Sequence, residues 1–543
     1  MCSSNELLLR VFAALFGGFL GLSLVKFGNP PIMEKWVTSP GGFLELLLGT
    51  PWPIGWAYWL LGLVSAVGVL TAHWNQPVLF SPSARRPAAT GTTRREGDRA
   101  AARRATKDVA SSPSTAIESK EPRQDGLIAP PLSSERGEGE SQPAAPRWLI
   151  ALPLIWLGWQ LLAGIRTLDG QLTTSTLKHF TACAACFYLG FFSLSRVKRL
   201  QPFWAGLLGG FFLVLASGFM QHFGGLEETR RYFFLNYVYP HPQEVPPEYL
   251  KRLSSTRIFA TLFYPNALAG CLLLLLPVVL TVIWRSGRFF TTAARGLLMG
   301  LAGVAGLACL SWSGSKGGWL LTLLLALAVL LRLPLRKQLK ITVVCAVLLA
   351  GLVGFFWKYS AFFQKGATSV GARLDYWRAA VQTARDNPIF GTGPGTFAIP
   401  YQKLKRPDAE MSRLVHNDYL EQASDSGLIG SLAYTVFITG GLMWSYPKAR
   451  SSARAEKLVD RLPRPGNSSS GASDDYVDGP KDETGLRTPV PSPDNWLPFS
   501  VWLGLLGWSC QGLLEFGLYI PALAWPAFAL LGWLLGSKTS AHG

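Results

Sequence analysis

Residues 258–284 run IFATLFYPNALAGCLLLLLPVVLTVIW without one charged side chain. A helix of that length, at about 1.5 Å per residue, exceeds the roughly 30 Å of hydrocarbon in a bilayer. Comparable runs stand at 7–27, 54–73, 148–165, 176–194, 203–221, 293–311, 317–332, 340–357, 419–444, 497–514 and 517–536. The expected fold class is therefore all-α: a polytopic membrane protein of about 12 transmembrane helices. Composition agrees, since 49% of the 543 residues are apolar and 15% are charged, against roughly 25% charged in a soluble globular chain. The first run lacks a small-residue cleavage pattern and many others follow it, so it is expected to stay as a helix.

The net charge of +18 would suggest nucleic acid on a soluble protein, but here it sorts by loop. Arg196, Lys198 and Arg199 lie in one short loop, Arg285, Arg288 and Arg295 in the next but one, and Arg332, Arg336, Lys337 and Lys340 in the next but one again. The loops between are poor in basic residues. A positive excess marks the cytoplasmic side, so both termini are expected in the cytoplasm, and no nucleic-acid partner is expected.

The expected segments are two N-terminal helices in 1–74, a disordered cytoplasmic insertion at 75–147, and helices three to nine in 148–357 with an outer loop at 222–257. A second outer loop at 358–418, a tenth helix at 419–446, a disordered cytoplasmic loop at 447–495, and two last helices with a short tail at 496–543 complete the chain. The two cytoplasmic segments are biased to Pro, Ser, Gly, Ala and charge, too little apolar surface to fold. The outer loops mix aromatics and glycines with charge and are expected to be ordered, so chemistry is sought there.

Six of the seven cysteines lie in expected spans, which argues against a disulfide framework. Cys183 and Cys186 make a C-x-x-C pair inside an apolar run, where packing is the plainer reading. No two histidines are spaced i, i+4, and the early outer loops hold no D-x-D or E-x-D pair, so neither a zinc site nor magnesium or manganese dependence is expected.

The most informative stretch begins GARLDYWRAAVQTARDNPIFGTGPGTF, from Gly371, and ends RLVHNDYLEQASDSGLIG, at Gly430. Trp377, Ala380, Val381 and Ala384 recur at helical spacing, predicting a short amphipathic helix over 373–386. Asn387-Pro388 and Gly391-Thr-Gly-Pro-Gly395 break it. The glycines suggest a tight turn rather than a nucleotide loop, because no strand precedes them. His416 stands just before the tenth span, and Asp418, Glu421 and Asp425 follow in its first turns, where acidic residues suit a helix N-terminus.

The elements R-x-x-x-W at Arg373, N-P-x-x-G-x-G at Asn387, H-N-x-x-L at His416 and acidic-x-Gly-x-x-Gly at Asp425 resemble the signature region of the O-antigen ligase and polymerase superfamily. RIFATLFYPNALAG at 257–270 and SWSGSKGGWL at 311–320 are similar to two further family elements. Two positions depart: Lys316 stands where arginine is commoner, and Asp425 where glutamate is usual. The resemblance spans roughly 148–536 and implies a GT-C-like architecture in the bacterial cytoplasmic membrane. Such proteins move a glycan from undecaprenyl diphosphate to an acceptor hydroxyl on the outer, periplasmic face, without a cofactor.

On that resemblance His416 is the candidate general base, since a neutral imidazole near pH 7 can take a hydroxyl proton. Arg257, Arg373 and Lys316 are the candidates to hold the diphosphate, as fixed cations where negative charge grows. Asp425, Glu421 and Asn266 are candidate supports, and no metal is implied. Bland alternatives stand beside these: Arg257 and Lys316 also fit snorkelling at helix ends, and Asn266 fits helix packing. Glu515-Phe516-x-x-x-x-Pro521 is taken as structural.

The acceptor is expected to be a lipopolysaccharide core or other glycolipid, with a growing repeat-unit chain or a protein hydroxyl as the alternatives. A polysaccharide or lipid-carrier transporter is the competing class. It predicts ionisable residues at mid-span and an internal repeat, and the spans show neither. For the topology, a Gln402→Cys variant should be labelled by an impermeant maleimide in intact spheroplasts. Protection there would invert the orientation.

Overall fold

The computed structural model describes residues 4–37, 39–74, 145–239, 255–333, 336–364, 368–407, 409–447 and 496–540, and every regular element among them is helical. The order is α1 (Ser4–Lys26), α2 (Phe43–Leu48), α3 (Ile54–Trp74), α4 (Arg147–Gly164), α5 (Gly170–Tyr188), α6 (Gln201–Met220), α7 (Leu226–Phe233) and α8 (Pro265–Arg285). Then come α9 (Thr292–Ser313), α10 (Lys316–Arg332), α11 (Lys337–Gln364), α12 (Thr368–Asp386), α13 (Ala398–Leu404), α14 (Asp418–Ser445), α15 (Trp496–Gln511) and α16 (Pro521–Ser540). Residues 75–144 and 448–495, nearly all of the two expected cytoplasmic segments, and 240–254 of the first outer loop lie outside the described residues.

Among the described residues nine helices are long and apolar enough to cross a membrane, by length and composition. These are α1, α3, α4, α5, α6, α8, α9, α11 and α14. Helices also stand at the other three expected spans, as α10, α15 and α16.

Two boundaries differ from expectation for a physical reason. The helix expected from residue 258 begins at Pro265. Tyr264, held extended before the proline (φ −129°, ψ 124°), cannot continue a helix into it, while proline suits the first helical position. Residues 258–264 are apolar because they are buried without being helical: Ile258 and Leu262 are fully covered, and Ala260 and Phe263 take positive φ. Likewise the expected span 497–514 ends as a helix at Gln511, leaving a turn before Pro521.

α16 is buried along most of its length and packs on α1, α5, α8, α14 and α15, as a helix apolar on every side should. α11 is its opposite. It packs on α10 and exposes Leu349, Val353 and Trp357, a face suited to lipid. A polar core ties α4 to α14: Gln422 Oε1 accepts from Trp156 Nε1 (2.8 Å) and Gln160 Nε2 (2.7 Å), and its Nε2 donates to Tyr519 Oη (2.9 Å). Hydrogen bonds of this kind join helices across a low-dielectric interior.

α1 and α6 meet through glycines. A Cβ on Gly210 would stand 2.2 Å from the Gly21 carbonyl oxygen, and one on Gly206 2.4 Å from the Gly18 nitrogen, while one on Gly209 meets nothing within 4 Å. Small residues let backbones approach this closely. Gly210→Ala should therefore destabilise the chain by about 1–3 kcal/mol, read as a lower melting temperature in detergent, while Gly209→Ala leaves it unchanged. Equal melting of the two variants would refute this close packing.

Candidate functional site

His416 stands just before α14 in the left-handed region (φ 57°), a conformation that costs a non-glycine residue about 1–3 kcal/mol and persists only where its surroundings fix it. Here they do. Asn417 caps α14, its Oδ1 accepting from Tyr419 N and Leu420 N (3.1 Å each) and its Nδ2 donating to Leu513 O (3.0 Å). Trp377 Nε1, on α12, donates to the His416 carbonyl at 3.4 Å. The half-buried imidazole stacks on Tyr376 (centroids 5.6 Å, 25°) and meets Phe516 edge-on (4.8 Å, 77°).

Its polar partner is Glu515, in the turn between α15 and α16. Nδ1 of His416 lies 3.1 Å from Glu515 Oε2. The other carboxylate oxygen accepts from Asn266 Nδ2 (2.6 Å) and from Arg373 Nη2, and Arg373 Nε donates to Leu514 O (3.1 Å). Asn266 Oδ1 in turn accepts from Arg257 Nη2 (2.8 Å), while Arg257 Nε donates to Ser313 O at the end of α9 (2.6 Å). Burial pushes the Glu515 pKa up, but the hydrogen bond and charge of His416 and the charge and hydrogen bond of Arg373 outweigh it, leaving the carboxyl below its ordinary value. An ionised Glu515 can only accept. In the neutral imidazole Nδ1 is therefore the protonated nitrogen, and Nε2 carries the lone pair.

Lys316 opens α10 behind Ser315, whose Oγ accepts from Gly318 N (3.2 Å). Burial, and then the positive charges of Arg257 and Arg373, lower its ammonium pKa. The structure thus brings His416, Arg373 and Asn266 onto Glu515, joins Arg257 through Asn266, and sets Lys316 near enough to Arg257 and Arg373 to feel their charge.

Glu421 and Asp425 go elsewhere. Glu421 Oε2 accepts from Val415 N (3.1 Å), so it fixes the backbone just before His416. Asp425 Oδ2 accepts from Gly395 N (2.7 Å) and Tyr519 Oη (3.3 Å). The carboxylate that reaches the imidazole is Glu515, which the sequence reading took as structural. One signal could have found it: between Trp496 and Ser537 it is the single charged residue, and a charge in so apolar a stretch implies a partner.

The G-T-G-P-G turn has a structural duty. α14 is broken at Gly427 (φ 72°), which strips the preceding turn of its usual helical donors. Thr392 N and Gly393 N donate instead to Ser424 O (3.1 Å) and Asp425 O (2.8 Å), and Leu428 N finds Pro388 O (2.8 Å). Among the described residues no group of three or more His, Cys, Asp or Glu side chains is arranged to hold a metal ion.

Residues 301–435 match the family described as O-antigen ligase. The matched segment includes Lys316, Arg373, His416, Glu421 and Asp425, and stops short of Arg257, Asn266 and Glu515. An uncharacterized protein of Haemophilus influenzae is 29% identical over 150 residues, covering 23% of this chain and 37% of that protein. The chain therefore spans little over a third of the length of that curated relative.

In the unfolded chain Glu515 titrates at the ordinary carboxylate value. Its contribution to stability is accordingly complete above that value and is lost as pH falls through the lowered folded one. The melting temperature of the wild type should exceed that of Glu515→Gln at pH 7, and the gap should close in acid. A gap independent of pH would exclude the ionised carboxylate.

Proposed function

With an O-antigen ligase domain at residues 301–435 as its premise, we propose that this helical membrane protein is a glycosyltransferase of the ligase type. It moves a glycan from an undecaprenyl diphosphate carrier to a hydroxyl on a lipopolysaccharide core or similar glycolipid. The reaction lies at the outer face of the cytoplasmic membrane, in a chain of twelve spans with both termini inside and a GT-C-like arrangement. The observation that carries the reading is the contact of His416 Nδ1 with Glu515 Oε2 at 3.1 Å, beside three clustered cations.

Glu515 holds the imidazole in the tautomer whose Nε2 accepts a proton. As the acceptor oxygen bonds to the anomeric carbon, its proton passes to Nε2, and Glu515 stabilises the imidazolium that results. The bond from that carbon to the diphosphate oxygen breaks on the opposite face, inverting the centre, and the leaving diphosphate takes the electron pair. Arg257, Arg373 and Lys316 meet the charge that grows there, so that no metal ion is called on. A guanidinium has five donors, and Arg373 engages Nε and Nη2 with Leu514 and Glu515. Asn266 carries the network from Arg257 to Glu515, Glu421 braces the backbone just before the base, and Asp425 braces the turn at Gly395.

The test uses the purified full chain in nanodiscs, an undecaprenyl diphosphate-linked oligosaccharide as donor, and separate arms with a lipid A core, a repeat-unit acceptor and a protein acceptor. His416→Ala should lower kcat by about 100- to 10,000-fold, and chelator should leave the wild type unchanged. Wild-type turnover in His416→Ala would remove the base, strict dependence on a divalent ion would overturn the metal-free step, and transfer confined to a repeat-unit acceptor would make the protein a polymerase.

A further inference from the structure

Two short stretches far apart in the chain, 416–418 and 512–518, are joined rung by rung. His416 Nδ1 meets Glu515 Oε2, Asn417 Nδ2 donates to Leu513 O (3.0 Å), Asp418 N donates to Gly512 O (2.7 Å), and Leu518 N donates to Asp418 Oδ2 (3.0 Å). Of these three residues on the α14 side, Asp418 alone binds both ends of the turn that carries Glu515. It is 1% exposed and has no part in the transfer step described above.

The fit around it is close. A Cβ on Gly512 would lie 2.8 Å from Asp418 Oδ2, so the turn approaches the carboxylate as nearly as a glycine permits. In the next peptide group, Leu518 O is held by Nε2 of the buried His179, on α5, at 2.7 Å. Leu518 is thus fixed through both its amide and its carbonyl. Asp418 sits in the first turn of α14, where the helix N-terminus favours a carboxylate and where backbone amides lack helical acceptors. Its own amide uses that freedom to reach Gly512.

We infer that Asp418 is a positioning residue for the transfer reaction: by bridging the ends of the Gly512–Leu518 turn it sets the reach of Glu515, and through it the orientation of the His416 imidazole. The base and its carboxylate belong to segments that no helix or sheet ladder unites. Asp418 is two residues from His416, its partners Gly512 and Leu518 are each three residues from Glu515, and it fixes their separation. The inference rests on the roles proposed above for His416 and Glu515.

The experiment compares kcat and KM of Asp418→Ala, Asp418→Asn, Gly512→Ala and Glu515→Gln with the double variants Asp418→Ala/Glu515→Gln and Gly512→Ala/Glu515→Gln. All are assayed as full chains in nanodiscs with the undecaprenyl diphosphate-linked donor and the acceptor found active above. Displacement of a reacting group by an ångström costs about 100-fold, so Asp418→Ala should lose about that much in kcat with KM within about twofold. A residue acting through Glu515 is non-additive with it, so adding Asp418→Ala to Glu515→Gln should cost less than about twofold more. Asp418→Asn, whose amide oxygen still accepts from Leu518 N, should keep kcat within about fivefold of wild type, since the acceptor stands in the same geometry.

If Asp418→Ala fails to fold, Gly512→Ala crowds the same contact without removing the carboxylate and must show the same non-additivity with Glu515→Gln. Losses that multiply when either substitution is combined with Glu515→Gln, or a failure of a folded Asp418→Asn to restore turnover, would overturn the positioning role while leaving Glu515 in place. Wild-type turnover in Glu515→Gln itself would instead overturn the reading on which the inference rests.

Discussion

A carboxylate enclosed among helix ends stays ionised only where donors and cations surround it, and Glu515 meets that condition by drawing on three other parts of the chain. Its oxygens take hydrogen bonds from Asn266 at the start of α8, from Arg373 on α12 and from His416 just before α14. Arg257 extends the network to the last turn of α9 through Ser313 O. The anion therefore collects the ends of four helices at one level of the bundle. The candidate site is a property of that junction and belongs to no single span.

What the sequence made legible follows from how local each signal is. A membrane-spanning helix announces itself by length and apolarity within its own residues; helices stand at the twelve expected positions, and nine of those described are long and apolar enough to cross a membrane. The same criterion misplaced the start at residue 258, because apolar composition cannot tell a spanning helix from a buried irregular segment. Pro265 carried the correction. Arg373 and His416 were legible through a compact motif. Glu515 was not, because it is 99 residues from His416 and its company is visible only once α15 and α16 have folded back.

Glu421 and Asp425, expected as supports, accept from backbone amides of neighbouring loops, and the carboxylate against the imidazole is Glu515. With Asp418 they stand at i, i+3 and i+7 on one face of α14, and all three are buried. That face meets backbone amides: Leu518 N, Val415 N and Gly395 N. Each carboxylate thus holds a loop in place. The break at Gly427 belongs to the same construction, since the carbonyls it strips of helical donors are those the G-T-G-P-G turn supplies.

The junction also carries strain and like charge. Arg257 and Arg373 lie near enough to Lys316 to depress its pKa, and His416 occupies a backbone region unfavourable to any residue with a side chain. Strain and like charge of this kind gather where a ligand completes the arrangement. Glu515 offsets part of the positive charge, and it is already engaged by Asn266, Arg373 and His416. On the function proposed here the leaving diphosphate forms beside these cations, attached until then to the carbon that the acceptor oxygen must attack.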